Sequence, residues 1–194
     1  MKALELAGWA AAVPLVVLVA VAFVKFAVVL AVLQRAFGGA AIPPVSVTIV
    51  LALLFALFVT APVASSAWAA PTAAKAAEPV RAWLAKHAPA KEKQSFLELQ
   101  RQLRPAAERE AVGENDLVVL APAFATAELK SAFQIGFLLF LPFLVIELLV
   151  STVLTSLGMT SLAPELVSLP FKLLLFVLAD GWHLLFRGLV LGYT

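Results

Sequence analysis

The chain contains no cysteine, only two histidines, and few charges: 13% of its 194 residues are Asp, Glu, Lys or Arg. A soluble domain carries about a quarter. The lack of cysteine removes disulfides, thiolate metal sites and cysteine nucleophiles together, and with them any reading of the redox compartment. His87 and His183 stand far apart, and neither has another ligand at a metal-site spacing. A net charge of +2, with no basic tract and no Gly-rich phosphate loop, argues against a nucleic-acid partner. No metal, cofactor or catalytic residue is expected. Apolar side chains are abundant, at 63% of the sequence. Too few polar positions remain to clothe a water-facing surface, so the composition points to a membrane.

Most charges fall between Lys75 and Lys130, with long apolar stretches on either side. A hydrocarbon core about 30 Å thick needs about 20 residues of helix. The first span is read from Trp9 to Leu33, with Pro14 early in it, where a missing N–H costs least. Gln34, Arg35, Gly38 and Gly39 end it, and Ile42-Pro43-Pro44 makes a stiff turn. The second span runs from Val45 to Val63. Lys2 is a thin positive region, and the apolar stretch exceeds a usual signal-peptide core, so this stretch is expected to stay as a span. The Ala-Trp-Ala at 67–69 resembles a cleavage site but follows the second span.

The middle is Ala-rich and punctuated by Pro71, Pro79, Pro89 and Pro105. Glu78-Pro79 reads as the start of a short helix through His87. Lys91 to Arg104 reads as another, with Phe96, Leu99 and Leu103 as a packing stripe. Gly113 to Asp116 is a loop, and Leu117 to Ala127 leads into the next hairpin. The third span is placed at Ser131 to Leu157, the fourth at Leu166 to Val190, with a turn at 158–164. The expected architecture is therefore an all-α membrane protein of two long helical hairpins, four hydrophobic helices in all. Residues 1–63 and 131–194 form the hairpins, joined by a polar, mostly helical segment over 64–130.

The charges inside the spans carry the functional signal. A charge at the bilayer centre costs about 2.5–3.5 kcal/mol. Lys25, Glu147, Lys172 and Asp180 all lie within apolar runs. Two readings stand for Lys25: a snorkelling side chain or a buried partner. Glu147 is too short to snorkel and lacks a basic partner on its own span, so its partner lies on another helix or another subunit. Pro142 is expected to kink the span that carries Glu147 and Ser151. On the fourth span, Lys172, Asp180, His183 and Arg187 fall within roughly 80° of one another and form one polar stripe on an otherwise apolar helix. Lys172 and Asp180 would then be about 12 Å apart along the axis, too far to pair. Asp180 and His183, at i,i+3, could meet. Three classes fit: an oligomeric or pore-like bundle joined through buried charges, a lone four-helix bundle that pairs them internally, or a small-solute or ion transporter using the stripe. His183 with Asp180 as base and orienter lacks a nucleophile motif, so the chain is not expected to be an enzyme.

The residues also resemble a known family. Phe23-Val-Lys-Phe-Ala-Val-Val, then Arg35, Gly38, Pro43-Pro44 and Ala61-Pro62-Val63, resemble the first hairpin of the SctR/FliP proteins of type III secretion export gates. Leu120-Ala-Pro-Ala-Phe, Glu128-Leu-Lys-Ser-Ala-Phe-Gln-Ile-Gly-Phe, Leu141-Pro-Phe-Leu-Val-Ile-Glu, Leu157-Gly-Met and Leu169-Pro-Phe-Lys through Asp180-Gly-Trp follow in family order. The likeness covers nearly all of the chain except about 65–115. Phe23-Val-Lys-Phe looks more like the injectisome branch, SctR, than the flagellar branch.

The resemblance implies a non-enzymatic subunit of the bacterial inner membrane, in several copies, five by the family pattern. It would assemble with SctS/FliQ-type and SctT/FliR-type subunits, further export-apparatus proteins and the needle or rod base, and pass unfolded proteins through a closable channel. Its hairpins would rise toward the periplasm on assembly, with the polar segment periplasmic. Arg35 in the first turn agrees with a cytoplasmic turn, whereas the Lys and Arg of the polar segment argue the other way. The resemblance sets Glu147 opposite a basic residue of the SctT/FliR-type neighbour, and Lys172 and Asp180 at buried basic and acidic positions. Glu128 and Phe140 fall on the pore side. The turn Met159-Thr160-Ser161-Leu162 falls where the family has a methionine-rich gasket; here one Met remains, with Leu162 to fill part of it.

Overall fold

The computed structural model describes residues 2–38, 42–70 and 72–194, without the side chains of 2–13 and 73. Gly39 and Pro71 lie outside the described residues, as do the side chains of Lys2 and Trp9. The protein is all-α. Among the described residues seven helices follow in order: α1 Lys2–Ala36, α2 Val45–Trp68, α3 Ala73–His87, α4 Ala90–Leu103, α5 Leu117–Ser156, α6 Pro164–Leu178 and α7 Gly181–Leu191. A 3-10 turn, Ala106–Ala111, separates α4 from α5.

Among the described residues, α1 from Pro14, α2 and α5 are each long and apolar enough to cross a membrane, and α6 with α7 forms a fourth candidate only as a bent pair. Several elements differ from the sequence-based expectation for identifiable reasons. The second span extends to Trp68, because Ala64 to Ala67 continue the helix past Pro62 without a breaker. The first short helix begins at Ala73, not at Glu78-Pro79. Thr72, extended at φ −141°, caps it by accepting a hydrogen bond from the Lys75 N–H, and Pro79 falls inside. The third span merges with the apolar lead before it. Nothing between Leu117 and Ser156 stops the helix, which runs 40 residues through Pro122 and Pro142.

The end of α5 is a Schellman motif. Gly158 has φ +71°, the Met159 N–H reaches the Leu154 carbonyl, and the Gly158 N–H reaches that of Thr155. Gly38 closes α1 at φ +104°, its N–H reaching the Arg35 carbonyl. At the following turn the Gln34 side-chain amide donates to the Pro43 carbonyl at 2.6 Å.

The described chain falls into two compact units, one of Met1–Lys25 and Leu53–Ser131, the other of Phe26–Ala52 and Ala132–Thr194. The core of the first is small-residue-rich: Leu18, Ala22, Ala56, Val80, Leu84, Leu120 and Ala123 are buried. Trp83 packs edge-on against the ring of Phe124, and the His87 ring, with Nδ1 2.7 Å from the Trp83 carbonyl oxygen, closes that cluster. The α4 stripe Phe96, Leu99 and Leu103 stands at helical spacing, yet α4 fully buries no residue: Phe96 is half-buried, and Leu99 and Leu103 are exposed.

The second unit is built on aromatics. Phe37 meets Phe143 and Phe176 edge-to-face at 5.2 and 5.4 Å, and Phe176 meets Trp182 at 5.1 Å. Such pairs add about 0.5–1.5 kcal/mol each beyond area burial. Gly136 lets α5 close on α1: a Cβ there would stand 3.1–3.2 Å from the Val32 side chain.

Candidate functional site

Each unit seals one lysine of an apolar span against one glutamate of α5. In the first unit, Lys25 is only 4% exposed, and its Nζ lies 3.5 Å from Oε2 of Glu128, whose side chain is 10% exposed. Snorkelling is therefore not what Lys25 does: it is held inside, against an acid. The sequence offered no local sign of this, because the partners are over 100 residues apart; the apolar setting of Lys25 was the available clue.

In the second unit, Lys172 donates to Glu147 Oε2 at 2.5 Å. One face of α6, at i, i+4 and i+8, is buried: Ser168, Lys172 and Phe176. That face carries the ammonium down to α5. The pair is unequal in solvent access, with Lys172 1% and Glu147 31% exposed by side chain. Of the two places left open for the partner of Glu147, this chain supplies one on another helix. Expectation from resemblance set Glu147 opposite a neighbouring subunit; within this chain its partner is Lys172.

The fourth span is not one helix, which overturns the polar stripe. Asp180 adopts the left-handed conformation, φ 50° and ψ 46°, between α6 and α7, and the two helices meet at 61°. Helical periodicity cannot be carried across that break, so Lys172 does not share a face with Asp180, His183 and Arg187. The last three are exposed. Asp180 makes no ion pair among the described residues, and within this chain alone it is exposed, where the resemblance implied a buried acid. Gly181 explains the break from the other side. A Cβ there would stand 2.4 Å from the Phe176 ring, so only glycine lets that buried ring pack under the start of α7.

Glu128 and Phe140, expected on the pore side, are buried and half-buried within their own units, and Glu128 faces Lys25. Met159, Thr160, Ser161 and Leu162 are all exposed at the tip between α5 and α6. The hydroxyls of α5 near that tip are satisfied locally: Thr152, Thr155 and Ser156 each donate to the carbonyl four residues back. No group of three or more His, Asp or Glu side chains converges among the described residues. The arrangement offers fixed, paired charges inside apolar helices and an exposed tip carrying Met159 and Leu162, with long apolar faces left outward on α2, α5 and α6. Outward faces of this kind require lipid or other helices.

The sequence matches the FliP family model over residues 7–189. It is 40% identical to the hypersensitivity response secretion protein HrcR of Ralstonia nicotianae, covering 94% of this chain and 92% of that one. Against the Yop proteins translocation protein R of Yersinia pestis the identity is also 40%, over 93% of this chain and 90% of the relative. Against the flagellar biosynthetic protein FliP of Bacillus subtilis it is 36%, over 93% and 86%. The chain therefore belongs to the FliP family, with relatives named for secretion as well as for flagellar biosynthesis.

Proposed function

We propose that this chain is a core subunit of a type III secretion export gate in the bacterial inner membrane. One observation carries the reading. Relatives named for secretion and translocation match more than nine-tenths of the chain, and so does a relative named for flagellar biosynthesis. A component of similar length in both settings serves a step that both need, the export of protein across the membrane. The Phe23-Val-Lys-Phe segment, which looks more like SctR than like flagellar FliP, favours the injectisome branch.

The geometry supports a role by assembly. The subunit stands in several copies, five by the family pattern, with SctS/FliQ-type and SctT/FliR-type subunits. Its outward apolar faces supply surface for them and for lipid. The exposed Met159–Leu162 tips of several copies gather into a constriction, where a flexible thioether and a branched side chain repack around irregular shapes. Unfolded protein passes through the channel so formed, and no bond is made or broken by this subunit. The half-open Glu147 can accept a second cation from a neighbouring subunit while Lys172 holds its inner side. A small-solute transporter draws less support, since the stripe that suggested it is divided by the α6–α7 break.

Deletion of the gene in its host, followed by measurement of proteins in the culture supernatant, tests this reading. Loss of apparatus-dependent export, restored by the intact chain, is expected. Unchanged export would contradict it. Replacing Met159 and Leu162 with Ala is expected to make the assembled gate leak small molecules, read by dye uptake; a gate that stays tight would place the constriction elsewhere.

A further inference from the structure

Helix α7 has the length of half a membrane span but not its direction or its uniform apolar surface. Its 11 residues rise about 16 Å, half of a hydrocarbon core. It leaves α6 at 61°, and its two sides differ. Gly181, Leu184, Leu185, Gly188 and Leu189 line one wall of a groove of about 610 Å³, whose other walls come from α5 and α6 and are apolar throughout. His183 and Arg187 are exposed and lie on the other side of α7, roughly 130–170° around the axis from the middle of the groove wall. Neither forms an ion pair among the described residues. Lys172 being sealed on Glu147, Arg187 is the cation left outward between Ala132 and Thr194. The one acid nearby, Asp180, sits at the break, before α7 begins. Trp182 stacks on Phe186 at 5.8 Å along the flank between the two sides, half in and half out, the setting that interfacial aromatics occupy.

We propose that α7 lies flat in the surface of an anionic membrane, with Arg187 and His183 among phospholipid phosphates and acyl chains filling the groove on its other side. Charge complementarity favours this occupant over a partner helix. A second helix laid in the groove would meet apolar walls but leave the outward Arg187 unanswered, whereas an anionic membrane surface satisfies both sides, phosphates on one and acyl chains on the other. Gly188 leaves open space where a side chain would point, so the groove reaches the α7 backbone. An interfacial helix with a cationic face and an apolar face of this kind binds in proportion to its buried apolar area and the anionic lipid present.

The absence of native cysteine allows a direct test. Leu184 and Leu191 are both exposed and seven residues apart on one face of α7. Single cysteines at each, spin-labelled in the full chain reconstituted in phosphatidylglycerol vesicles, report depth by their collision with oxygen and with a water-soluble relaxant. Equal shallow depths are expected. Depths differing by about 10 Å, the rise over seven residues, would make α7 part of a span and overturn the proposal. Strong spin–spin broadening would place a second copy in the groove and overturn it as well. Native mass spectra of the unlabelled chain should retain phosphatidylglycerol over phosphatidylcholine. The R187Q variant should lose about fivefold of that preference, the weight of one surface cation on anionic lipid. Gly188→Leu, which fills the groove without touching charge, should lower retention of both lipids. Equal retention of the two lipids by the native chain would contradict the role of Arg187. The test needs no secretion partner, so its failure leaves the export-gate reading intact.

Discussion

The two ion pairs differ in how their loss is felt. Removing Glu147 as Ala leaves Lys172 sealed with no counter-charge, whereas replacing Lys172 with Met leaves Glu147, a third exposed, able to hydrate. Breaking a buried pair from one side costs about 3–5 kcal/mol. The full loss is expected for Glu147→Ala and a smaller one for Lys172→Met, read as thermal unfolding midpoints in detergent. The reverse order would show that Lys172 reaches water. At Lys25 and Glu128 both partners are buried, so K25M and E128A should be destabilising to similar extents, and the double variant less so than their sum. Additive effects in that cycle would mean the pair does not interact. At this scale the sequence was half legible. Lys25, Glu147 and Lys172 stood out as charges in apolar runs, since a charge there needs a reason. Which charge meets which was not legible, because pairing across distant helices leaves no local pattern.

Among the helices, the long apolar ones were plain in the sequence because hydrophobic length alone specifies them. Their ends were less so. The Gly158 C-cap was foreseen as a turn, but the start of α3 was misplaced at Pro79, although Thr72 offered the better cap. The fourth span misled most. Its hydropathy is continuous, and periodicity was counted through it. The warning was Asp180-Gly181, a turn dipeptide inside an apolar run. Gly181→Ala should be sharply destabilising, because the new methyl collides with a Phe176 ring wedged among Phe37, Phe143 and Trp182. Asp180→Gly should be neutral or slightly stabilising, since glycine adopts positive φ without strain, and Asp180→Val should cost about 1–2 kcal/mol. Thermal unfolding of the three variants measures this ordering. A tolerated Gly181→Ala would mean the aromatic cluster can shift.

Seen whole, the protein exposes far more apolar surface than a lone soluble domain, and the exposed rows lie on α2, α5 and α6. Lipid covers such rows in a free chain, and other helices cover them in an assembly. Leu99 and Leu103 of α4 add apolar surface outside the spans, in a segment otherwise polar. Here the sequence was legible through its family likeness more than through its physics: composition led to membrane helices, and the ordered motifs led to the FliP family. The central claim is that the chain works only as one of several copies among unlike partners. Native mass spectrometry after mild detergent extraction, with SctS- and SctT-type subunits co-expressed, tests it most directly. A discrete complex holding several copies of this chain, five by the family pattern, together with both partners is the predicted result. A monomer that ignores both partners would contradict the account.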